Sequence, residues 1–199
     1  MLTLHMLRHG DTLQSAEGFF CGDLNPPLAD SGVEQAKRVA ERLKGFEITS
    51  MYVSPKLRAR MTAEPIAMAL GLEATFHEGL REIGYGSWEG RQEKDIKASE
   101  PDAYAAWTAD PALASPPGGE SAFAIAARAL PVILEIRASH PTGNVLIVSH
   151  KATIRVITCA LLGMPLGRFR DRVACPTASL TTFEFGARGA MLVRIGEQT

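Results

Sequence analysis

Short segments of this chain place cations and imidazoles where predicted strands end. Arg8, His9 and Gly10 follow one short apolar run, and Arg58 follows a second. His150 comes directly after the β-branched run NVLIVS. Guanidinium groups bind anions through charge-assisted hydrogen bonds, and a neutral imidazole can act as a base or a nucleophile. These segments therefore suggest an anionic ligand if the fold brings them together, although Arg58 alone could also be a solvated cation at a helix start.

A carboxylic acid stands in another compact segment, the loop LREIGYGSWEG at 80–90. Its Glu82 lies among apolar and glycine neighbours. Partial burial disfavours a carboxylate, so we expect Glu82 to keep its proton near neutral pH and to donate it in catalysis. The alternative is a surface acid paired with Arg81.

Apolar runs with β-type residues alternate with helical patterns along the chain. The predicted strands cover 3–7, 48–54, 73–77, 144–149, 181–185 and 191–195. The predicted helices cover 31–45, 57–70, 120–139 and 152–162. Ser31 with Glu34 forms a capping-box pattern for the first helix, and Gly45 is its expected end. This alternation predicts an α/β fold, a three-layer α/β/α sandwich with a largely parallel central sheet.

Ligands of such sheets usually lie beyond the carboxyl ends of the strands. His9 and His150 both follow predicted strands, so they are expected at that edge. The segment 84–119 is predicted to be irregular and partly helical, and its Trp88 and Trp107 are expected to pack it against the rest of the domain.

Composition narrows the function classes. The 199 residues carry 21 Lys+Arg and 22 Asp+Glu, a formal charge of −1, which argues against a nucleic-acid binder and a polybasic membrane-surface protein. No apolar run reaches the roughly 20 residues that span a bilayer. Cys21, Cys159 and Cys175 have no CxxC spacing and are expected to be free thiols. With no signal-peptide pattern at the start, we expect a cytoplasmic protein.

Taken together and in order, the motifs resemble those of the histidine phosphatase superfamily, which includes the cofactor-dependent phosphoglycerate mutases. The matching strings are LRHGDT, SPKLRARMTAEPIA, LREIGYGSWEG, PGGES and VSH. The resemblance covers nearly the whole chain. It implies one domain over 1–199 with a phosphoglycerate mutase-like fold, in which 84–119 is an insertion that caps the active site.

The resemblance also implies roles for the catalytic residues. His9 would attack phosphorus and become a phosphohistidine, for which it must be neutral. Arg8, Arg58 and His150 would surround the phosphoryl oxygens. Glu82 would protonate the leaving alkoxide and then deprotonate the attacking water. No metal and no cofactor are expected, and the partner is a small phosphorylated metabolite.

Further substrate contacts follow from the same resemblance. Beyond the two arginines and the second histidine, the expected phosphate- or substrate-binding residues are Gly10, Thr12, Ser15, Cys21, Gly22 and Lys151. Ser15 stands where relatives often carry Asn, and Cys21 where many carry Gln. Lys151 replaces a common glycine, and it either binds a second acidic group of the substrate or points outward. Arg155, one helical turn later, favours the inward alternative.

The resemblance implies a metal-independent phosphatase acting on small organic phosphomonoesters. One alternative is phosphoglycerate mutase, but the mutases that this chain resembles are longer and carry an extra central segment, so 199 residues favour hydrolysis. A second alternative is a non-catalytic phospholigand-binding module, which the presence of every expected catalytic residue disfavours. A homodimer is the default expectation. The basic stretch of Arg168, Arg170 and Arg172 is predicted to be a solvated loop.

Overall fold

The structure, a computed structural model, describes residues 1–198, apart from the side chains of residues 15 and 16. Its strands are β1 (Leu2–Arg8), β2 (Ile48–Val53), β3 (Ala74–Phe76), β4 (Gly143–Ser149), β5 (Leu180–Gly186) and β6 (Gly189–Glu197). Its helices are α1 (Leu13–Ala16), α2 (Asp30–Leu43), α3 (Leu57–Leu70), α4 (Glu93–Ser99), α5 (Pro101–Ala109), α6 (Ala122–Ser139), α7 (Lys151–Leu161) and α8 (Phe169–Arg172).

The strands form one sheet in the order β3-β2-β4-β1-β5-β6. The first four strands of the chain run parallel, whereas β5 pairs antiparallel with β1 and with β6. The largely parallel sheet is therefore confirmed. Arg8 at the end of β1 lies in register with Ser149 at the end of β4. Because these strands are neighbours, the residues that follow them emerge side by side.

Alternate residues of the central strands bury opposite faces of the sheet. Val145 and Ile147 of β4 pack in one cluster with residues of α6 and α7. Leu146 and Val148 pack in a second cluster with residues of α2 and α3. Both faces are thus covered by helices, which confirms the three-layer sandwich and explains why NVLIVS is a continuous apolar run. Within the described residues, no helix has the length and apolar character to cross a membrane.

The capping box predicted for the first helix is wrong. Helix α2 begins at Asp30, its N-cap is Ala29 without a side-chain cap, and Ser31 lies within its first turn. Tertiary contacts determine this start, because the Ala29 N–H donates to the carbonyl of Asp11 at 2.9 Å. The helix also ends at Leu43, before Gly45.

The segment 84–119 contains a single 3₁₀ turn, α4 and α5, as the irregular and partly helical prediction requires. Its apolar side chains form a separate small core around Phe20. Trp88 and Trp107 are 0% and 2% exposed there and contact each other edge to face with ring centroids 5.4 Å apart. The predicted packing role of both tryptophans is confirmed.

Candidate active site

The two motif histidines meet at the carboxyl edge of the sheet. His9 follows β1 and His150 follows β4, and their ring centroids are 5.1 Å apart. The His9 backbone N–H donates to the carbonyl of Ser149 at 3.0 Å, so the parallel ladder itself holds the two loops together. Both side chains are buried.

His9 is held as a neutral imidazole with one nitrogen free. Its Nδ1 lies 2.7 Å from the carbonyl oxygen of Gly10, so Nδ1 carries the proton and donates. The lone pair is therefore on Nε2. Burial, followed by the positive charges of Arg8 and Arg58, holds the pKa of His9 well below 6.5. A neutral imidazole is the form that a nucleophile requires.

His150 is oriented by a hydroxyl group. Its Nε2 lies 2.7 Å from Oγ of Ser54, which follows β2. Its Nδ1 is buried and has no hydrogen-bond partner among the described residues. Burial, then the charges of Arg58 and His9, lowers the pKa of His150 well below 6.5. In the tautomer in which Ser54 donates to Nε2, the Nδ1–H is a buried donor without a protein acceptor among the described residues.

Two arginines flank the histidines, each anchored by backbone carbonyls. Arg58 is 2% exposed and donates to the carbonyls of Leu24 at 2.8 Å and Gly22 at 3.0 Å. Arg8 donates from Nη1 to the carbonyl of Cys175 at 2.8 Å, and its buried Nε has no partner among the described residues. These contacts fix the guanidinium groups without neutralising them, so their charge remains available to an anion.

Glu82 is buried against the start of α7. Its carboxylate accepts from the backbone N–H groups of Ile83 at 3.0 Å, Ala152 at 3.1 Å and Thr153 at 3.3 Å. The burial expected from the sequence is therefore present, but α7 directs its first N–H groups at the acid, which the sequence did not indicate. The alternative of a surface pair with Arg81 is also wrong, since Arg81 pairs with Glu120 at 2.9 Å.

A cavity of about 240 Å³ opens onto these groups. Of the residues predicted from sequence, it is lined by Arg8, His9, Thr12, Arg58, Glu82, Cys21 and Lys151. Aromatic side chains form further parts of its wall, namely Phe19, Phe20, Tyr85, Trp107 and Phe169. His150 is fully buried behind this lining, in contact with His9. The structure therefore gathers the predicted catalytic set in one place.

Gly10 and Gly22 do not line the cavity; they allow backbone segments to pack closely. A Cβ on Gly10 would lie 2.6 Å from the carbonyl oxygen of Gly32, and one on Gly22 would lie 1.7 Å from that of Ile83. The Gly22 N–H is also occupied, because it donates to the carboxylate of Glu89 at 3.0 Å. The predicted substrate contacts of both glycines are thus corrected to structural roles. The predicted contact of Ser15 lies outside the described residues.

The carboxylate of Glu89, whose role could not be predicted from the sequence, holds the loop at 22–24. Besides Gly22, it accepts from the N–H groups of Asp23 at 2.8 Å, Leu24 at 3.3 Å and Tyr85 at 2.9 Å. This loop supplies the carbonyls that hold Arg58. Glu89 therefore positions an arginine that it does not touch, a role that no local pattern signals.

The cavity also holds more positive charge than expected. Of the two alternatives for Lys151, the structure favours the inward one, because Lys151 and Arg155 both line the cavity. The prediction of a solvated loop is wrong for Arg170. This residue lines the cavity with its guanidinium carbon 3.8 Å from the ring centroid of Trp107. The helical i, i+4 spacing signalled Arg155. Arg170 lies on α8, which packs against α7, and its guanidinium group lies over Trp107 of α5.

Among residues 1–198, no group of three or more His, Cys, Asp or Glu side chains could hold a metal ion. Cys21, Cys159 and Cys175 are free thiols, as predicted. Burial raises the pKa of Cys21, whose Sγ lies 3.8 Å from the carbonyl of Leu24, so this thiol lines the cavity in its neutral form.

Two buried imidazoles, two anchored guanidinium groups and an acid lie together at one sheet edge, an arrangement suited to binding a phosphoryl group. The family model of the histidine phosphatase superfamily (branch 1) matches residues 4–198. The chain belongs to this superfamily, and the resemblance seen in its motifs is confirmed.

Curated relatives and solved structures are similar to this chain over most of its length. It is 30% identical to phosphoserine phosphatase 1 of Hydrogenobacter thermophilus, with 98% of this chain and 92% of that protein covered. It is 35% identical over 170 residues to glucosyl-3-phosphoglycerate phosphatase of Mycolicibacterium vanbaalenii, covering 82% and 75%. The solved structure of a mycobacterial glucosyl-3-phosphoglycerate phosphatase with VO₃ superposes with a TM-score of 0.91 at 31% identity, covering 98% of this chain and 99% of that one.

Proposed function

We propose that this protein is a phosphatase that hydrolyses small organic phosphomonoesters through a phosphohistidine at His9. The observation that carries the proposal is a neutral His9 with its Nε2 free, between Arg8 and Arg58, in a cavity of small-molecule size. The relatives named as phosphatases support the same reaction class.

The reaction has two halves. In the first, Arg8 and Arg58 hold the phosphoryl oxygens, Nε2 of His9 attacks phosphorus, and the P–O bond to the substrate breaks. The leaving alkoxide takes a proton from Glu82, and His150 donates from Nδ1 to a phosphoryl oxygen. In the second, water gives a proton back to Glu82 and attacks phosphorus, which breaks the N–P bond and frees inorganic phosphate. The arginines stabilise the charge of the transferring group in both halves.

Three further features belong to this proposal. The chain forms one domain over 1–199 in which 84–119 caps the active site, since Tyr85, Glu93 and Trp107 of this segment line the cavity. A cytoplasmic location is supported by the three free thiols. A homodimer stays a prediction, which light scattering after size-exclusion chromatography would test.

The test is a phosphate-release screen over a panel of metabolite phosphates, with EDTA present. We expect release by the wild type and loss to the assay background in His9→Ala, with an acid-labile, base-stable phosphoenzyme in the wild type alone. His140→Ala is the matched control, because His140 contacts Tyr52 away from the cavity and its loss should leave turnover intact.

Three outcomes would contradict the proposal. Isomerisation of a phosphoglycerate that outpaces phosphate release would make the protein a mutase. Failure of the wild type to take up label from every phosphomonoester would indicate a binding module. Strict dependence on an added divalent metal would argue against a mechanism in which arginines supply the positive charge.

A further inference from the structure

The cavity holds more cations than one phosphoryl group needs. Five line it, namely Arg8, Arg58, Lys151, Arg155 and Arg170, against two carboxylates, Glu82 and Glu93. Among the described residues, none of these five cations forms a salt bridge. Elsewhere on the chain cations are commonly paired, so the cavity is a local concentration of unneutralised positive charge.

The two carboxylates are already engaged. Glu82 accepts three backbone N–H groups at 3.0 to 3.3 Å, and Glu93 pairs with Lys97 at 2.5 Å and accepts from Tyr104 at 2.7 Å. Arg170 is also engaged, because it stacks on Trp107. Arg8 and Arg58 account for a phosphoryl group. Lys151 and Arg155 are left without an anionic partner.

These two residues share one face of α7. Lys151 is its first residue and Arg155 follows one helical turn later, so both side chains reach the same part of the cavity. The Nε of Arg155 is buried and has no partner among the described residues. The Lys151 side chain is exposed as a whole, yet desolvation, then the charges of Arg155 and Arg8, lowers its pKa. The two cations are therefore close enough to repel one another.

Neither Lys151 nor Arg155 stabilises α7. A cation at the first residue of a helix opposes the helix dipole, whose positive end lies there. The first N–H groups of α7 are already satisfied by Glu82. Stability of α7 thus gives no reason for a lysine and an arginine on this face, whereas an anion bound between them would relieve the repulsion and satisfy the buried Nε.

We propose that Lys151 and Arg155 form a specificity subsite for a second anionic group, so that the substrate is a phosphomonoester that also carries a carboxylate or a second phosphate. The inference rests on the proposed function for its scissile phosphate. Arg8 and Arg58 hold that phosphate, and the second anion lies toward α7. An ester with only a neutral organic group would leave the two cations unpaired.

Binding of inert analogues tests the subsite without turnover. The probe is 3-phosphonopropionate, compared with propylphosphonate, which has a methyl group in place of the carboxylate. The same comparison is made with analogue pairs that are one methylene shorter and one methylene longer. These pairs vary the distance between the two anionic groups of the analogue. By calorimetry at low salt, we expect the wild type to bind at least one carboxylate analogue about 10-fold or more tightly than its neutral counterpart, the size of a charge-assisted hydrogen bond.

The preference should fall about 10-fold in Lys151→Met and in Arg155→Met. Arg172→Met is the matched control, because Arg172 is exposed on α8 and does not line the cavity, so it should keep the full preference. Circular dichroism checks that each variant is folded. If one variant does not fold, the wild-type preference and the other variant decide.

Turnover gives a second readout. The loss of kcat/KM in each variant should be about 10-fold greater on 3-phosphoglycerate than on glycerol 3-phosphate, and should lie mainly in KM. Equal wild-type affinity for every analogue pair, or an undiminished preference in both variants, would overturn the subsite. Equal losses on both substrates would do so as well, since the two cations would then serve the scissile phosphate. Absence of all turnover with the binding preference intact would refute the proposed function and support the subsite.

Discussion

Substitution of Glu120 tests how the loop that carries Glu82 is held. Both carboxylate oxygens of Glu120 accept hydrogen bonds from several donors. Arg81 donates to them at 2.9 and 3.0 Å, Arg128 at 2.9 and 3.0 Å, and the N–H of Gly84 at 2.9 Å. Arg128 also donates to the carbonyl of Glu82 at 3.1 Å. One carboxylate therefore ties the catalytic loop to α6.

The magnitude follows from the acceptors that Glu120→Gln removes. Glutamine has one acceptor oxygen, so it keeps at most three of these five hydrogen bonds and turns an amide N–H₂ toward a guanidinium group. A buried hydrogen bond to a charged group contributes about 1.5–3 kcal/mol. The Arg81 side chain is 29% exposed, so water replaces part of the loss. We expect the free energy of unfolding to fall by about 2–4 kcal/mol. We also expect kcat to fall, because the loop that carries Glu82 loses contacts that hold it in place.

The effect should depend on pH. Burial alone raises the pKa of Glu120, but hydrogen bonds from Arg128 and Gly84 and the charges of Arg128 and Arg81 outweigh it and hold the pKa below its ordinary value of 4.5. A depressed folded-state pKa stabilises the fold above the unfolded-state pKa, and this stability is lost as the pH falls through the folded-state value. The difference between wild type and variant should therefore be largest near neutral pH and shrink below pH 4.5.

Urea unfolding followed by circular dichroism at a series of pH values measures both quantities. Glu34→Gln is the matched control, because Glu34 pairs with Lys37 on the surface and is 59% exposed. This control should change stability little, because water screens an exposed ion pair. The reasoning is refuted if the two variants lose similar stability at neutral pH, or if the loss in Glu120→Gln does not diminish in acid.

Three other outcomes are expected. Glu82→Gln should slow turnover of alkyl phosphates by about 10²–10⁴-fold and of an aryl phosphate much less, because only the alkoxide leaving group needs a proton. Equal losses on both substrates would show that Glu82 is not the acid. Because burial and the charges of Arg8 and Arg58 lower the pKa of His9 well below 6.5, the ring signals of His9 in NMR should not titrate near pH 6.5. A titration near that value in the wild type that is missing from His9→Ala would contradict this. Gly10→Ala should destabilise the fold by about 1–3 kcal/mol in thermal or urea unfolding, because the new Cβ would clash with Gly32. Gly45→Ala is the control and should not destabilise the fold, because its Cβ would lie 3.9 Å from the nearest atom. Similar stability of the two variants would show that the backbone at Gly10 relaxes.

Much of the fold and of the candidate site could be predicted from the sequence. Strand β4 is a continuous apolar run because it is buried on both faces, and the motif histidines directly follow β1 and β4. Since neighbouring parallel strands end at the same edge, the placement of His9 near His150 follows from strand order and short connections. The start of α2 could not be predicted in this way, because a contact from Asp11 outweighed the local capping signal.

The sequence by itself determined which chemical groups the chain carries and at which strand ends they lie. Only the tertiary structure decided what surrounds them. It places backbone N–H groups at Glu82, puts Lys151 and Arg170 in the wall of the cavity, and packs backbone against Gly10. The physical reason is the distance along the chain over which each feature is determined. Apolar periodicity and strand ends are encoded by adjacent residues, whereas the rotation of a helix and the path of a loop are set by packing against segments far away in the chain.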